Sequence, residues 1–336
     1  VCLERECILL PVSASTTTLS GPRYDRPRLH ADNNSSFVHA GCCSTCTSVW
    51  SCSNSMMEEQ LLVDVILPHV RMPDSGPPTF LEVGGLDGLY MSNTLYLESC
   101  RGWHGLLIEG HPKNFGQLVR NRPAATAVHS ALCETYGNVA YTAFANEGSG
   151  LHLFVRNISA PIYVPCAPLQ HYLEMLNLRH LSLLSVDVEG AELQVLRSVR
   201  WDRTSVAILI VEERHFFNNT LEERKNDAVH DVLSLAGMQR VWAPCWGAKP
   251  RPGARTNHLC NAYYAHPQWV RIDELRQSID AATSADTRMS EKLRSPSRTA
   301  AQLRCGTPSD SRRHRQARER AYSRPPGKRR SRVYKE

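Results

Sequence analysis

Apolar positions along the chain follow two rhythms. A helical spacing runs from residue 56 to about 70, and Pro73, Gly76, Pro77 and Pro78 then break it. The short apolar run 80–83 follows at once, then an amphipathic segment at 91–99, a second run at 105–108 and a second amphipathic segment at 114–120. Farther on, 181–188 reads as a buried strand. Residues 191–199 read as a helix with Leu193, Leu196 and Val199 on one face, 206–211 as another strand and 221–235 as a helix. Residues 138–144 and 151–155 read as strands flanking Asn146-Glu147-Gly148-Ser149-Gly150, and 238–243 with 259–265 as an antiparallel edge hairpin. Short apolar runs alternating with amphipathic helices predict βαβ units, hence an α/β, Rossmann-like domain whose mostly parallel sheet carries helices on both faces.

Composition divides the 336 residues into three segments. Residues 1–55 hold Cys2, Cys7, Cys42, Cys43, Cys46 and Cys52 among Ser, Thr and Asn, without a clear periodicity, and are expected to be poorly ordered. Cys43-x-x-Cys46 lacks the second pair or the His that a zinc site needs. Disulfides fit an oxidising compartment equally well, as do the sequons at Asn33, Asn157 and Asn218. Residues 56–270 form the expected folded domain. Residues 271–336 are expected to be a largely disordered basic tail. From Arg288 onward it carries 16 Lys and Arg against 4 Asp and Glu, so the formal +6 of the whole chain conceals a remainder of −6. Such a stretch buries too little apolar surface to offset its ordering entropy. It offers nucleic acid or an acidic membrane surface a basic partner, and a merely solvated tail is the plainer expectation. No run approaches the roughly 20 apolar residues that cross a bilayer. That points to a soluble domain, with the cytoplasm ahead of other compartments. The chain opens on Val1 rather than Met, which leaves a lost targeting segment open.

Candidate chemistry lies where strands end. Glu82 closes the first run, Glu109 follows the second, Asp187 and Glu189 follow the third, and Glu212 follows 206–211. The carboxyl ends of strands line the ligand crevice of an open parallel sheet, so these acids describe an acidic pocket suited to a cation or to several hydroxyls. The first turn reads Glu82-Val83-Gly84-Gly85-Leu86-Asp87-Gly88. A dinucleotide fingerprint aligned on Gly85 and Gly88 would place Val83 at its first glycine, which removes the tight turn that NAD binding requires. The glycines still let backbone approach a ligand, with Glu82 near the charged amino-acid end of a cofactor. Glu109 is placed to accept hydrogen bonds from ribose hydroxyls.

Four motifs resemble the FkbM family of S-adenosylmethionine-dependent methyltransferases. They are Glu82-x-Gly84-x-x-Asp87-Gly88, then Ser92-Asn93-Thr94-x-Tyr96-Leu97-Glu98, then Gly102-Trp103-x-Gly105-x-x-Ile108-Glu109-x-x-Pro112, and Asp187-x-Glu189-Gly190-x-Glu192. The resemblance runs from about residue 78 to 215, more weakly to 266. It departs at Leu86, where relatives tend to carry a polar residue, often Asn. It implies a class I methyltransferase fold, S-adenosylmethionine as cofactor, and O-methylation of a hydroxyl on a sugar or other small molecule. Glu82, Gly84, Gly85, Asp87, Gly88, Ser92, Asn93, Glu109 and Asp187 become the expected cofactor residues. Asp187 and Glu189, two apart on an extended strand end, are expected at the reacting end, where they hold the sulfonium, orient the acceptor or bind a divalent cation. A helix start would attract Glu189 and Glu192 through its dipole but does not explain Asp187. His215, after Glu212-Glu213-Arg214, is the candidate base, and a solvated loop histidine is its plainer alternative. Two rivals stand beside this reading. One is a non-catalytic relative used as a binding or trafficking module, which cofactor titration separates in part. The other is a nucleic-acid-directed methyltransferase, whose binding would depend steeply on salt and be lost on deleting 288–336.

Overall fold

Pro77 and Pro78 cannot continue the preceding helix, and strand β2 (Thr79–Val83) begins directly after them. A computed structural model of the chain describes residues 28–30, 49, 53–74, 76–143, 149–151, 161–215, 220–243 and 258–284. The segment before the prolines is helical: α1 (Glu58–Leu61) continues through a π turn (Leu62–Ile66) and a 3₁₀ turn (Leu67–His69). After β2 come α2 (Leu95–Arg101), β3 (His104–Glu109), α3 (Pro112–Asn121) and β4 (Thr126–His129). The second half holds α4 (Leu169–Met175), β8 (His180–Val186), α5 (Glu192–Arg197), β9 (Ser205–His215) and α6 (Thr220–Leu235). It closes with β10 (Gln239–Trp242), β11 (His258–Ala265) and α7 (Ile272–Ser284). Gly102, in the left-handed conformation, ends α2, and Pro112 opens α3 where its missing N–H costs nothing.

The main sheet runs β1-β4-β3-β2-β8-β9-β11-β10, where β1 is the short strand Arg28–His30. β4, β3, β2, β8 and β9 are parallel, and β11 lies antiparallel between β9 and β10. The expected α/β sheet with an antiparallel edge is therefore observed. Alternation along each strand builds two cores. Leu81, Val83, Leu106, Ile108, Leu184, Val186 and Leu209 face α4, α5 and α6. Phe80, Leu107, Leu183, Ile208 and Ile210 face α1, α2, α3 and α7. Each fully buried Leu or Val contributes roughly 1.5–3 kcal/mol.

A second sheet orders β5 (Ala131–Leu132), β7 (Ile162–Ala167) and β6 (Gly137–Tyr141), and a disulfide joins Cys133 to Cys166. Its β7 went unpredicted because Pro165 argues against a central strand, and β5 is too short to show a period. Of the strand expected at 151–155 only Leu151 is described, bridging Tyr141. Helix α7 falls inside the segment expected to be tail. Ile272, Leu275 and Ile279 bury one stripe of it against the sheet, so the boundary expected at 270 moves to 284 among the described residues. The amino-terminal cysteines, the sequon asparagines Asn33, Asn157 and Asn218, and the Arg-rich stretch after 288 lie outside the described residues. No helix among the described residues is long and apolar enough to cross a membrane.

Glu59 on α1 is fully buried, and burial pushes its carboxyl up to about 8. One oxygen accepts from the Tyr96 amide at 2.6 Å, and hydrogen bonds from Ser53 and Tyr96 offset only part of the burial. Protonation is favoured in the folded state, so this stabilisation is complete below about pH 4.5 and is lost as pH rises through about 8. Melting temperature is expected to fall between pH 5 and 8.5, and Glu59→Gln, which mimics the neutral acid, is expected to flatten that fall. Equal slopes in parent and variant would show that Glu59 ionises without cost.

Candidate active site

The carboxyl ends of β3, β2 and β8 meet at the glycine turn. The amides of Gly84 and Gly85 both donate to the Ile108 carbonyl, at 2.9 and 3.1 Å, which draws the turn across the end of β3. Gly84 has φ 86, and a Cβ there would lie 1.8 Å from the Asp187 carbonyl oxygen, so only glycine lets β2 and β8 approach so closely. Leu86, the position where the resemblance departs, has φ 49, a left-handed conformation that Asn adopts with less strain. Gly88, at φ 80, closes the turn with its amide 2.8 Å from the Gly85 carbonyl. Glu109 at the end of β3 is buried and accepts from the amides of Leu86 (2.9 Å) and His111 (2.7 Å). Burial lifts its carboxyl to about 7, against the pull of those two amides.

Several expected ligand residues engage the protein itself. Glu82 points to the helix face shared with Phe80, because Val83 takes the opposite face. Its carboxylate accepts from Ser92 Oγ (2.8 Å), Thr94 Oγ1 (2.6 Å) and the Asn93 amide (2.7 Å). Asn93 Nδ2 donates to Ser185 Oγ on β8 at 3.0 Å. The Asp87 carboxylate accepts from the amides of Leu89 (2.9 Å) and Tyr90 (2.7 Å), holding the turn after Gly88's neighbours. Glu82, Asp87, Ser92 and Asn93 thus shape the loop between β2 and α2.

The acids of the second half converge as the sequence suggested, by a different route. β8 ends at Val186, and Glu189 turns back through a left-handed conformation (φ 57) ahead of Gly190 (φ 112), so strand alternation is not what aligns Asp187 with Glu189. β9 runs past the expected end at 211 because β11 pairs with it as far as His215. Glu212 and Arg214 therefore share one face of an extended strand. One carboxylate oxygen each from Asp187, Glu189 and Glu212 lies within 4.8 Å of the others. The Arg214 guanidinium pairs with Glu189 and, at 3.1 Å, with Glu212. Glu192, the first residue of α5, accepts from the amides of Gly190 (2.8 Å) and Val188 (3.4 Å) and faces Lys225 at 3.3 Å. Among the described residues the Asp187 carboxylate makes no hydrogen bond. Burial, then Glu212 and Glu189, hold its carboxyl well above the usual carboxylate range, and burial raises Glu212 as well. His215 ends β9 opposite His258, and its side chain lies outside what is described.

Val83, Gly84, Ile108, Gly110, Asp187 and Ala191 line a cavity of about 30 Å³ beside the turn. Tyr141 and Leu151 of the second sheet close it, with the Tyr141 ring packed on Gly110 and its hydroxyl donating to the Ser149 carbonyl at 3.3 Å. A larger cavity of about 380 Å³, lined by Val63, Leu67, Met72, Pro78, Arg101 and Trp103, opens at the amino-terminal ends of β2 and β3. It contains no acid and faces away from the strand-end carboxylates.

Strand order and the glycine turn at the end of the first strand of the parallel set are those of a class I methyltransferase fold. Residues 82–239 match the family model described as the methyltransferase FkbM domain. Three solved structures illustrate its structural relatives. The methyltransferase FkbM from Methylobacillus flagellatus KT is 13% identical, with a TM-score of 0.34, over 56% of this chain and 44% of that one. This chain therefore matches less than half the length of that relative. The TehB-like SAM-dependent methyltransferase of Corynebacterium glutamicum is 14% identical over 65% of this chain and 92% of that one, with a TM-score of 0.32. The Aeropyrum pernix fibrillarin, in complex with natively bound S-adenosyl-L-methionine, is 14% identical over 63% of this chain and 76% of that one, with a TM-score of 0.36. No curated protein sequence matches the chain significantly.

Sequence reasoning passed over Arg122, Arg214, Lys225 and Tyr141. Arg214 had a usable signal, since it stands two residues from Glu212 in a strand and so on the same face. Arg122 and Tyr141 had none, because only the tertiary fold brings them to the turn.

Proposed function

We propose that this domain transfers the methyl group of S-adenosylmethionine to a hydroxyl oxygen of a sugar or another small molecule. The observation that carries the reading is the Asp187 carboxylate. It stands at the end of β8, beside Gly84, makes no hydrogen bond among the described residues, and lies within an acid cluster. The donor set fits the cofactor: acids at the strand ends complement a cationic sulfonium and an ammonium, and Glu109 stands on the neighbouring strand where a ribose would lie. The bound cofactor supplies an electrophilic methyl group. Glu109 accepts from the ribose hydroxyls, while the turn from Gly84 to Gly88 lets backbone approach the ligand. Asp187 would orient the acceptor hydroxyl and take its proton, leaving the oxygen nucleophilic toward the methyl group that the cofactor would supply. Burial, which raises this carboxyl well above the usual carboxylate range, makes its ionised form the stronger base that this task needs. Arg214 fixes Glu189 and Glu212 around it, and His215 at the end of β9 is the alternative base. Alignment of donor and acceptor accounts for most of the remaining acceleration.

A second reading adds a divalent cation. Asp187, Glu189, Glu192 and Glu212 face Arg214 and Lys225, so four carboxyl groups meet two cations, and either protons or a metal ion would complete the charge. Incubating the protein with a metabolite extract and isotopically labelled cofactor, with and without a chelator, tests both. Label in an O-methylated product supports the main reading, and its loss with chelator adds the cation. Label on nitrogen, on nucleic acid or nowhere rejects O-methylation of a small molecule.

A further inference from the structure

Arg122 lies just past the end of α3, and its side chain is fully buried beneath the loop that joins β2 to α2. Nη1 donates to the Gly88 carbonyl (3.0 Å) and to Ser92 Oγ (3.1 Å). Nη2 donates to Thr94 Oγ1 (3.2 Å) and to Glu98 Oε2 (2.6 Å), and Nε donates to the same Glu98 oxygen at 3.0 Å. All the nitrogens of the guanidinium are therefore engaged. The stem matters as well, since a Cβ on Gly88 would lie 2.7 Å from Arg122 Cγ. Ser92 and Thr94 pass the contact on, because both hydroxyls also donate to Glu82. The neighbouring Asn121 side chain adds a bond to the Asp87 carbonyl at 2.7 Å. The 84–94 loop has no regular backbone ladder, so these bonds, together with those of Glu82, Asp87 and Glu109, set its shape.

We propose that Arg122 is the positioning residue of this loop: it fixes Gly88, Ser92 and Thr94, and through them the glycine turn that receives the cofactor, without touching the cofactor. The proposal rests on the reading that the crevice binds S-adenosylmethionine. A lysine keeps the charge but offers a compact ammonium in place of a planar fork, so it cannot reach Gly88, Thr94 and Glu98 together.

Arg122→Lys separates this role from a merely structural one when cofactor affinity and amide hydrogen exchange are measured below the melting transition. The double variant Arg122→Met with Glu98→Gln removes the buried ion pair as a unit, which protects the fold from an unpaired carboxylate. The expected result in both is faster exchange at Leu86, Leu89 and Tyr90 with unchanged protection in β9 and α6, together with cofactor binding weakened about tenfold or more. Unchanged affinity in a folded variant, or loop amides as protected as in the parent, would overturn the proposal, as would loosening spread evenly over the domain. A parent that binds no S-adenosylmethionine would overturn the crevice reading, and with it the cofactor half of the proposal. Exchange at the three loop amides would then still decide whether Arg122 shapes the loop.

Discussion

Asp187→Asn is expected to reduce methyl transfer by about a hundredfold or more, the scale on which a positioned base acts, while leaving the domain folded. Most acids of the site are tied into the fold: Glu82 to 92–94, Glu109 to two amides, Glu189 to Arg214 and Glu192 to the start of α5. Asp187 makes no such bond among the described residues, so its near-isosteric replacement disturbs little besides charge. Stability is expected to stay within about 1 kcal/mol of the parent or to rise slightly, because the burial that lifts its carboxyl also makes its ionisation costly. Glu189→Gln is expected to lower turnover less and stability more, since it breaks the pair with Arg214. Both effects are to be read in turnover with cofactor affinity measured alongside. Full turnover in the two variants would return the pair to a charged helix start with no part in the chemistry.

Gly84→Ala is expected to destabilise the domain by more than about 3 kcal/mol, or to prevent folding. Two costs combine: a left-handed conformation at φ 86, about 1–2 kcal/mol for a residue with a Cβ, and a methyl placed inside the Asp187 carbonyl. The second cost forces β2 and β8 apart at the amide of Asp187, which donates to the Val83 carbonyl at 3.1 Å. Gly102→Ala supplies the control, because Gly102 has φ 68 with nothing within 4 Å of an added Cβ. It is expected to cost only about 1–2 kcal/mol from conformation alone. Denaturant unfolding of the two variants gives the difference directly. Equal losses would show that the β2–β8 approach at Asp187 is not tight.

Much of this architecture was legible because apolar strands such as 181–186 and 206–211 are buried on both faces and announce themselves as continuous runs. The Pro/Gly break before β2, the glycine turn and the acids that follow each strand were equally plain. Elements set by tertiary contact were not. β5 and β7 exist because they pair with each other, with β6 on the far side of β7, and α7 is amphipathic only over a stripe that the flanking basic composition hides. Within the site, residue types were easier to read than their duties. Alternation in β2 sends Glu82 to the face opposite Val83, where it meets Ser92, Asn93 and Thr94, and nothing local to the glycine motif says so. Glu189 reaches Asp187 through a left-handed turn, and Arg122 arrives from 34 positions beyond Gly88.

The central claim is that the crevice between the turn from Gly84 to Gly88, Glu109 and Asp187 binds S-adenosylmethionine. Titration calorimetry of the cofactor against the parent and against Glu109→Ala tests it most directly, with circular dichroism confirming that the variant is folded. The account predicts saturable one-to-one binding by the parent and a loss of more than about 1.5 kcal/mol in the variant, the scale of a charged hydrogen bond removed. No binding by the parent, or the same dissociation constant in a folded variant, would contradict it.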